Sequence, residues 1–144
     1  MLALVVDDSR AVRSTLRRML NKVGFDVVEA GHGLEALDRL NGSERVPDLA
    51  LVDWNMPELD GLGLVKALRQ ERRYAELPVM MVTAETDSAQ MARALMAGAD
   101  EYAMKPLDQE ALVEKLALLG FDPAIDQLTD QPTDGSDAAD SARP

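Results

Sequence analysis

The sequence predicts an α/β fold in which helices cover both faces of a parallel sheet. Short apolar runs alternate five times with longer stretches of helical periodicity along the 144 residues, and this alternation is typical of strand-helix units. The runs LALVV, LALV and VMMVT are apolar on both faces, as expected for strands between two helical layers. A hydrophobic content of 47% is enough for one domain with a substantial core.

Five strands are predicted, each bounded by polar or turn-forming residues. In chain order they are Leu2 to Val6, Asp26 to Ala30, Leu49 to Val52, Val79 to Thr83 and Glu101 to Met104. The second run contains Asp26 and Glu29, so we expect that strand at an edge of the sheet. A doubly wound parallel sheet of five units, with strand order 2-1-3-4-5, would give the flavodoxin-like (βα)5 architecture.

Five helices are predicted between and after these strands. They are Ser9 to Lys22, Leu34 to Leu40, Leu62 to Gln70, Ser88 to Met96 and Gln109 to Leu119. In the first, Val12, Leu16 and Leu20 recur at spacings of four, while arginines fill the other faces. That basic side is either solvated or a docking face. The methionines Met80, Met81, Met91, Met96 and Met104 are interpreted as core filling, with adaptable docking as the alternative for any exposed member.

Composition changes near residue 120, which divides the chain into a domain over residues 1–119 and a tail over 120–144. From Phe121 onward the chain has six Asp and one basic residue, Arg143, and prolines interrupt any helix. We interpret this tail as acidic and disordered, with Phe121 near its start as a tether.

Charge and residue types exclude several functional classes. A net charge of −11 gives no basic face for nucleic acid. The absence of Cys and the single His32 exclude thiolate zinc sites and histidine clusters. The apolar N-terminal run is too short for a signal peptide and no run could span a membrane, so we expect a cytoplasmic protein without membrane insertion.

Polar side chains follow the predicted strands where those strands end. They are Asp7 and Asp8 after the first strand, Asp53 after the third, Thr83 at the end of the fourth and Lys105 after the fifth. Because the carboxyl ends of parallel strands meet at one edge, these side chains should converge. Carboxylates about 5 Å apart repel by roughly 1 to 3 kcal/mol per pair, so the cluster predicts a cation. Mg²⁺ suits carboxylate and carbonyl oxygens with retained waters.

Each of these residues has a simpler explanation when it is taken alone. Asp7 and Asp8 suit a helix start, and Asp53 suits a turn. Thr83 would serve as a helix cap and Lys105 as a solvated surface charge. Their occurrence together at matching strand ends favours a shared site. No glycine-rich phosphate loop follows any predicted strand, which disfavours nucleotide binding.

The motifs at these strand ends resemble those of the receiver domain of two-component response regulators. They are DD after the first strand, DWNMPELDG around the third, VTAE at the fourth and KP after the fifth. Within that family, the single-domain chemotaxis regulators (CheY-like) are the most similar. The resemblance covers about residues 1–119. It implies that a sensor histidine kinase, or its phosphotransfer domain, passes a phosphoryl group to this chain.

The resemblance also implies a cofactor and a role for each residue of the motifs. Asp53 is the phosphoacceptor, and Lys105 and Thr83 hold the phosphoryl oxygens. The cofactor is Mg²⁺, for which Mn²⁺ is expected to substitute. Its implied ligands are Asp7, largely through a bound water, Asp8, Asp53 and the Asn55 carbonyl.

Further roles implied by the resemblance concern switching and the lifetime of the phosphorylated state. Thr83 moves toward the phosphoryl group and Tyr102 turns inward as the switch aromatic, although a plain structural role for a half-buried Tyr102 is the alternative. Asn55 and Glu85 tune dephosphorylation. The peptide bond before Pro106 is expected to be cis.

The resulting functional hypothesis is a stand-alone response regulator rather than a turnover enzyme. It would be a monomer until phosphorylation switches the face of helix 4, strand 5 and helix 5 for an effector, such as the flagellar motor or another signalling protein. One alternative is a phosphate sink or phosphorelay intermediate without its own effector. Another is a phosphatase with an aspartate nucleophile, which needs a second acid where this chain has Asn55. A DNA-reading helix-turn-helix cannot form from the tail.

Overall fold

The computed structural model describes residues 1–84 and 88–121, and these contain one five-stranded parallel sheet. Its strand order is β2-β1-β3-β4-β5, which confirms the predicted flavodoxin-like class. The strands are β1 (Leu2–Val6), β2 (Asp26–Ala30), β3 (Leu49–Val52), β4 (Val79–Thr83) and β5 (Glu101–Met104), with the bounds predicted from sequence. β2 is an edge strand, as the acids in its run indicated.

Helices connect the strands and end within one residue of their predicted bounds. They are α1 (Arg10–Lys22), α2 (Gly33–Asn41), α3 (Gly61–Gln70), α4 (Ser88–Ala97) and α5 (Gln109–Leu118). Side-chain caps fix most of the starts: Ser9 accepts the Val12 N–H, and Asp60 and Asp108 cap α3 and α5. A 3₁₀ turn at Arg72–Tyr74 was not predicted, because three residues carry no periodicity.

Two apolar layers flank the sheet. On one face α2, α3 and α4 bury Leu40, Leu64 and Ala94 against β1, β3 and β4. On the other face α1 and α5 contribute Leu20 and Leu112. Both faces of the central strands are therefore buried, which explains their uninterrupted apolar sequence.

The methionine prediction is correct for β4 and wrong for the later elements. Met80 and Met81 are completely buried. Met91, Met96 and Met104, on α4 and at the end of β5, are exposed. Adaptable docking, the alternative for exposed methionines, stays a prediction for these three.

The end of the described chain packs onto the domain. The Phe121 ring lies edge-on to Phe25, with 5.4 Å between ring centroids, and its N–H donates to the Leu116 carbonyl. The rest of the predicted tail, residues 122–144, lies outside the described residues. None of the helices in residues 1–84 and 88–121 has the length and apolar character needed to cross a membrane.

Candidate functional site

Backbone hydrogen bonds continue one residue past the strands and align the candidate residues side by side. The Asp53 N–H donates to the Val6 carbonyl at 2.9 Å, and the Lys105 N–H donates to the Thr83 carbonyl at 2.9 Å. The carboxyl ends of β1, β3, β4 and β5 are thereby brought to one edge. The side chains that sequence analysis placed at separate strand ends therefore occupy one crevice.

Three carboxylates meet at this edge. One oxygen each from Asp7, Asp8 and Asp53 lie within 4.8 Å of one another. Asp7 is 1% exposed and Asp53 is 6% exposed, whereas Asp8 is exposed to solvent. Two of the three charges are therefore largely removed from water, where their mutual repulsion is poorly screened.

Lys105 supplies the cation in the described structure. Its Nζ lies 2.7 Å from Asp7 Oδ2 and 3.4 Å from Asp53 Oδ1. Burial lowers the pKa of Lys105, but the attraction of Asp7 and Asp53 outweighs burial, and the pKa lies above its usual 10.5. The ammonium group therefore stays charged at neutral pH.

Asp53 is held in an environment that disfavours its ionised form. Burial is the main cause and the charge of Asp7 adds to it, so the pKa of Asp53 lies above its usual 3.8 despite the opposing effect of Lys105. Keeping this carboxylate ionised at a strand end therefore lowers the stability of the folded state. Perturbed groups of this kind are typical of reactive sites.

The donor set fits a hard divalent cation. Three carboxylates with oxygens within 4.8 Å of one another can share one ion. Mg²⁺ prefers oxygen ligands, uses one or two direct carboxylates and keeps several waters. Solvent exposure of Asp8 leaves room for those waters. Sulfur and imidazole donors, which would favour other metals, are absent from the described cluster.

The loop between β3 and α3 is packed tightly behind Asp53. Gly61 donates its N–H to the Trp54 carbonyl at 2.9 Å, and a Cβ at Gly61 would lie 2.2 Å from the Asp53 carbonyl oxygen. Leu59 occupies a space that side chains at Gly33 and Gly63 would fill. Close approach of α3 therefore depends on glycine at these positions. Asn55, two residues after Asp53, is exposed.

The remaining predicted residues are distributed around this centre. Thr83 is completely buried at the end of β4, and Tyr102 on β5 is 5% exposed rather than half-buried. The Lys105-Pro106 bond is cis, as predicted. Glu85 lies outside the described residues. His32, the single histidine of the chain, caps α2 by accepting the Glu35 N–H.

Arg13 is a neighbour of the site that sequence reasoning missed. It was counted in the basic side of α1, but its side chain is only 18% exposed. Its Nη1 donates to the Asp7 carbonyl at 2.6 Å, and its Nε donates to Glu29 at 2.9 Å. The only sequence signal was the acid in the edge strand, and it did not indicate which arginine would pair with it.

Comparison with known proteins decides the family. The response regulator receiver domain matches residues 3–117. The chain belongs to the response regulator receiver domain family. A chemotaxis protein CheY homologue of Campylobacter jejuni is 46% identical over 114 residues, which cover 78% of this chain and 87% of that protein. Chemotaxis protein CheY1 of Helicobacter pylori is 42% identical over 117 residues, covering 81% and 94%.

Solved receiver structures have the same fold. The chemotaxis response regulator CheY4 of Vibrio cholerae superimposes with a TM-score of 0.74 at 32% identity, covering 81% of this chain and 95% of that one. A response regulator receiver protein of Pseudomonas putida gives 0.73 at 31% identity, with 81% and 94% covered. The chain is thus a CheY-like receiver, a signalling domain whose family works by phosphorylation and binds Mg²⁺ at an acidic pocket.

Proposed function

We propose that Asp53 accepts a phosphoryl group from a phosphohistidine and that the modification switches this receiver between signalling states. The observation that carries the proposal is the meeting of Asp7, Asp8 and Asp53 with Lys105 at the carboxyl edge of the sheet. The donor is a sensor histidine kinase or its phosphotransfer domain. The exchange takes place in the cytoplasm.

The chemistry requires a nucleophile, in-line geometry and compensation of charge. A carboxylate oxygen of Asp53 attacks phosphorus, and the P–N bond to the donor histidine breaks with its electron pair passing to the imidazole nitrogen. Mg²⁺, or Mn²⁺ in its place, held by Asp7, Asp8, Asp53 and the Asn55 carbonyl, would supply positive charge next to the transferred group. The product is an acyl phosphate on the chain.

Lys105 and Thr83 hold the phosphoryl oxygens in this proposal. The Lys105 ammonium already lies 3.4 Å from Asp53 Oδ1, and its raised pKa keeps it charged as a partner for the anion. Thr83, completely buried at the neighbouring strand end, donates its hydroxyl to another oxygen. Asn55 and Glu85, which follow Asp53 and Thr83 by two positions in the sequence, set the lifetime of the phosphorylated state in this proposal.

Signal output is proposed to use α4, β5 and α5. Bonds from Thr83 to the phosphoryl group exist only in the modified state, so they bias the β4-α4 loop and the packing of Tyr102. Among the described residues, these three elements carry five of the eight large exposed apolar side chains. They are Met91, Leu95, Met96, Met104 and Leu118. A phosphate sink does not require an exposed apolar surface for an effector, so we favour an effector-binding regulator.

Names of the relatives point to a chemotaxis pathway, and we infer the same class of signalling for this chain. Its effector would then be the flagellar motor or another signalling protein. We expect it to be a monomer before phosphorylation and to take part in its own phosphorylation and dephosphorylation without turning over a separate substrate.

Titration with acetyl phosphate and Mg²⁺ tests the phosphorylation step, with Trp54 fluorescence as the readout because Trp54 follows Asp53 directly. In wild type, we expect acetyl phosphate to change the Trp54 fluorescence only when Mg²⁺ is present. In Asp53→Asn, we expect acetyl phosphate to cause no change. Asp38→Asn, which alters an exposed acid on α2, is the matched control and should respond like wild type. A donor-dependent response retained in Asp53→Asn would contradict the assignment.

The output surface is tested by two leucines that are equally exposed. Leu95 on α4 and Leu34 on α2 are each 45% exposed, so changing either to Glu should cost similar stability. We expect Leu95→Glu to abolish motility signalling in cells that depend on this chain and Leu34→Glu to retain it. Acetyl phosphate should modify both variants normally. Equal signalling by the two variants would favour the phosphate sink.

A further inference from the structure

We propose that Arg13 is a positioning residue for the acidic site, in that it fixes the peptide between Asp7 and Asp8 and thereby sets the affinity for Mg²⁺. This inference rests on the proposed function, because it assigns metal binding to those two carboxylates. Arg13 reaches the site through backbone, since its Nη1 donates to the Asp7 carbonyl oxygen at 2.6 Å. The same guanidinium pairs with Glu29 on the edge strand.

A hydrogen bond to the Asp7 carbonyl restrains Asp7 and Asp8 together. Its oxygen belongs to the planar peptide unit that joins Asp7 to Asp8, so fixing the oxygen restricts rotation of that plane. Both carboxylates project from the two ends of this unit. A single hydrogen bond therefore limits how far the two acidic side chains can diverge, in addition to the strand pairing of β1.

Other groups of Asp7 already have partners. Its N–H donates to the Ala30 carbonyl, Oδ1 accepts the Ser9 N–H at 2.8 Å, and Oδ2 lies beside Lys105. The bond from Arg13 provides a contact for the carbonyl oxygen as well. These contacts hold Asp7 in one orientation before any cation binds, which reduces the conformational cost of binding.

Glu29 orients the guanidinium that makes this contact. Its Oε1 accepts from Arg13 Nε at 2.9 Å, and its Oε2 accepts from Arg17 Nε at 2.6 Å. Burial opposes ionisation of Glu29, but the hydrogen bonds and charges of Arg17 and Arg13 outweigh it and lower its pKa. The planar fork of Arg13 can face the Glu29 carboxylate and the Asp7 carbonyl at once, whereas a lysine ammonium has no such fork.

Arg17 provides the matched control. It lies one helical turn after Arg13, pairs with the other oxygen of Glu29, and is more exposed, at 41% against 18%. Of these two arginines, only Arg13 has a hydrogen bond to Asp7 among the described residues. Loss of either arginine removes one ion pair with Glu29, so the two variants separate a general effect on stability from an effect on Asp7.

The experiment measures Mg²⁺ binding without a phosphodonor, through Trp54 fluorescence, in wild type, Arg13→Ala, Arg13→Lys and Arg17→Ala. We expect Arg13→Ala to weaken Mg²⁺ binding about tenfold, as is typical when a residue that orients a metal ligand is lost. Arg13→Lys should be intermediate and Arg17→Ala close to wild type. Phosphorylation of Arg13→Ala by acetyl phosphate should recover at saturating Mg²⁺, because the reacting groups remain.

Three results would overturn the proposal. They are unchanged Mg²⁺ affinity in Arg13→Ala, an equal loss in Arg17→Ala, and a rate for Arg13→Ala that stays low at saturating Mg²⁺. Urea unfolding of each metal-free variant shows whether it is folded during the titration. If wild type itself gave no response to Mg²⁺, the proposed metal site would fail together with this inference. A normal wild-type response with a normal Arg13→Ala response would reject the role of Arg13 alone.

Discussion

Gly61→Ala is predicted to impair phosphorylation through one added methyl group. A Cβ at this position would lie 2.2 Å from the Asp53 carbonyl oxygen and 3.0 Å from Met81 Cε. Ordinary contact begins at 3.4 Å, so helix α3 and the Asp53 backbone must separate by about 1.2 Å. The closest atom is backbone and cannot rotate away. Asp53 carries the proposed nucleophile, so the displacement acts directly on the reacting group.

The expected magnitude follows from that distance. A misplacement of about 1 Å in a reacting group costs on the order of 100-fold in rate, so we expect acetyl phosphate to modify Gly61→Ala about 100-fold more slowly than wild type. Overpacking should lower the free energy of unfolding by about 1 to 3 kcal/mol. This is the opposite of the gain of about 0.5 to 1 kcal/mol that Gly→Ala usually gives within a helix.

Stopped-flow fluorescence of Trp54 measures the rate, and urea unfolding measures the stability. Gly31→Ala is the matched control, because a Cβ there meets its nearest neighbour, Glu35 Oε1, at 3.4 Å. We expect this control to remain close to wild type in both measurements. A wild-type phosphorylation rate in folded Gly61→Ala would refute the reasoning.

Two further predictions concern charge in the site, both measured by urea unfolding with metal removed by chelation. Asp53→Asn should be more stable than wild type at neutral pH. The pKa of Asp53 in the folded state lies above 3.8, so the folded state binds this proton more tightly than the unfolded state does. Wild-type stability therefore falls as pH rises through the interval between the unfolded-state pKa and the folded-state pKa. This advantage should vanish at pH values below that interval, and an advantage independent of pH would contradict the assignment. Lys105→Met should lose about 1 to 3 kcal/mol at neutral pH, because the buried carboxylates of Asp7 and Asp53 lose the cation beside them. No loss at neutral pH would show that the ion pairs contribute nothing.

Local pattern was sufficient to predict most of the fold. Strand bounds were correct because the runs are strongly apolar and end at polar residues, and the edge position of β2 followed from Asp26 and Glu29. Convergence of Asp7 with Asp53 followed from the geometry of any parallel sheet. Roles beyond that convergence came from resemblance to receiver domains, and the individual assignments remain predictions.

Which individual side chains pair between α1 and the sheet, and which face of α4 is exposed, were not predictable. Arg13 binds the Asp7 carbonyl only because α1 packs beside the edge strand that carries Glu29, and no periodicity in α1 distinguishes Arg13 from Arg17. Exposure of Met96 was missed for a related reason, because apolar composition does not identify the face of α4 that has no neighbour. Tyr102 is more buried than an edge position suggests, since α4 packs against β5.

The central claim is that the phosphoryl group is carried by Asp53. Wild-type protein phosphorylated by acetyl phosphate with Mg²⁺ should be treated with borohydride, which reduces an acyl phosphate on aspartate to homoserine, and then analysed by peptide mass spectrometry. The account predicts homoserine at position 53, dependent on both Mg²⁺ and the phosphodonor. Homoserine at another aspartate with position 53 unmodified would contradict it.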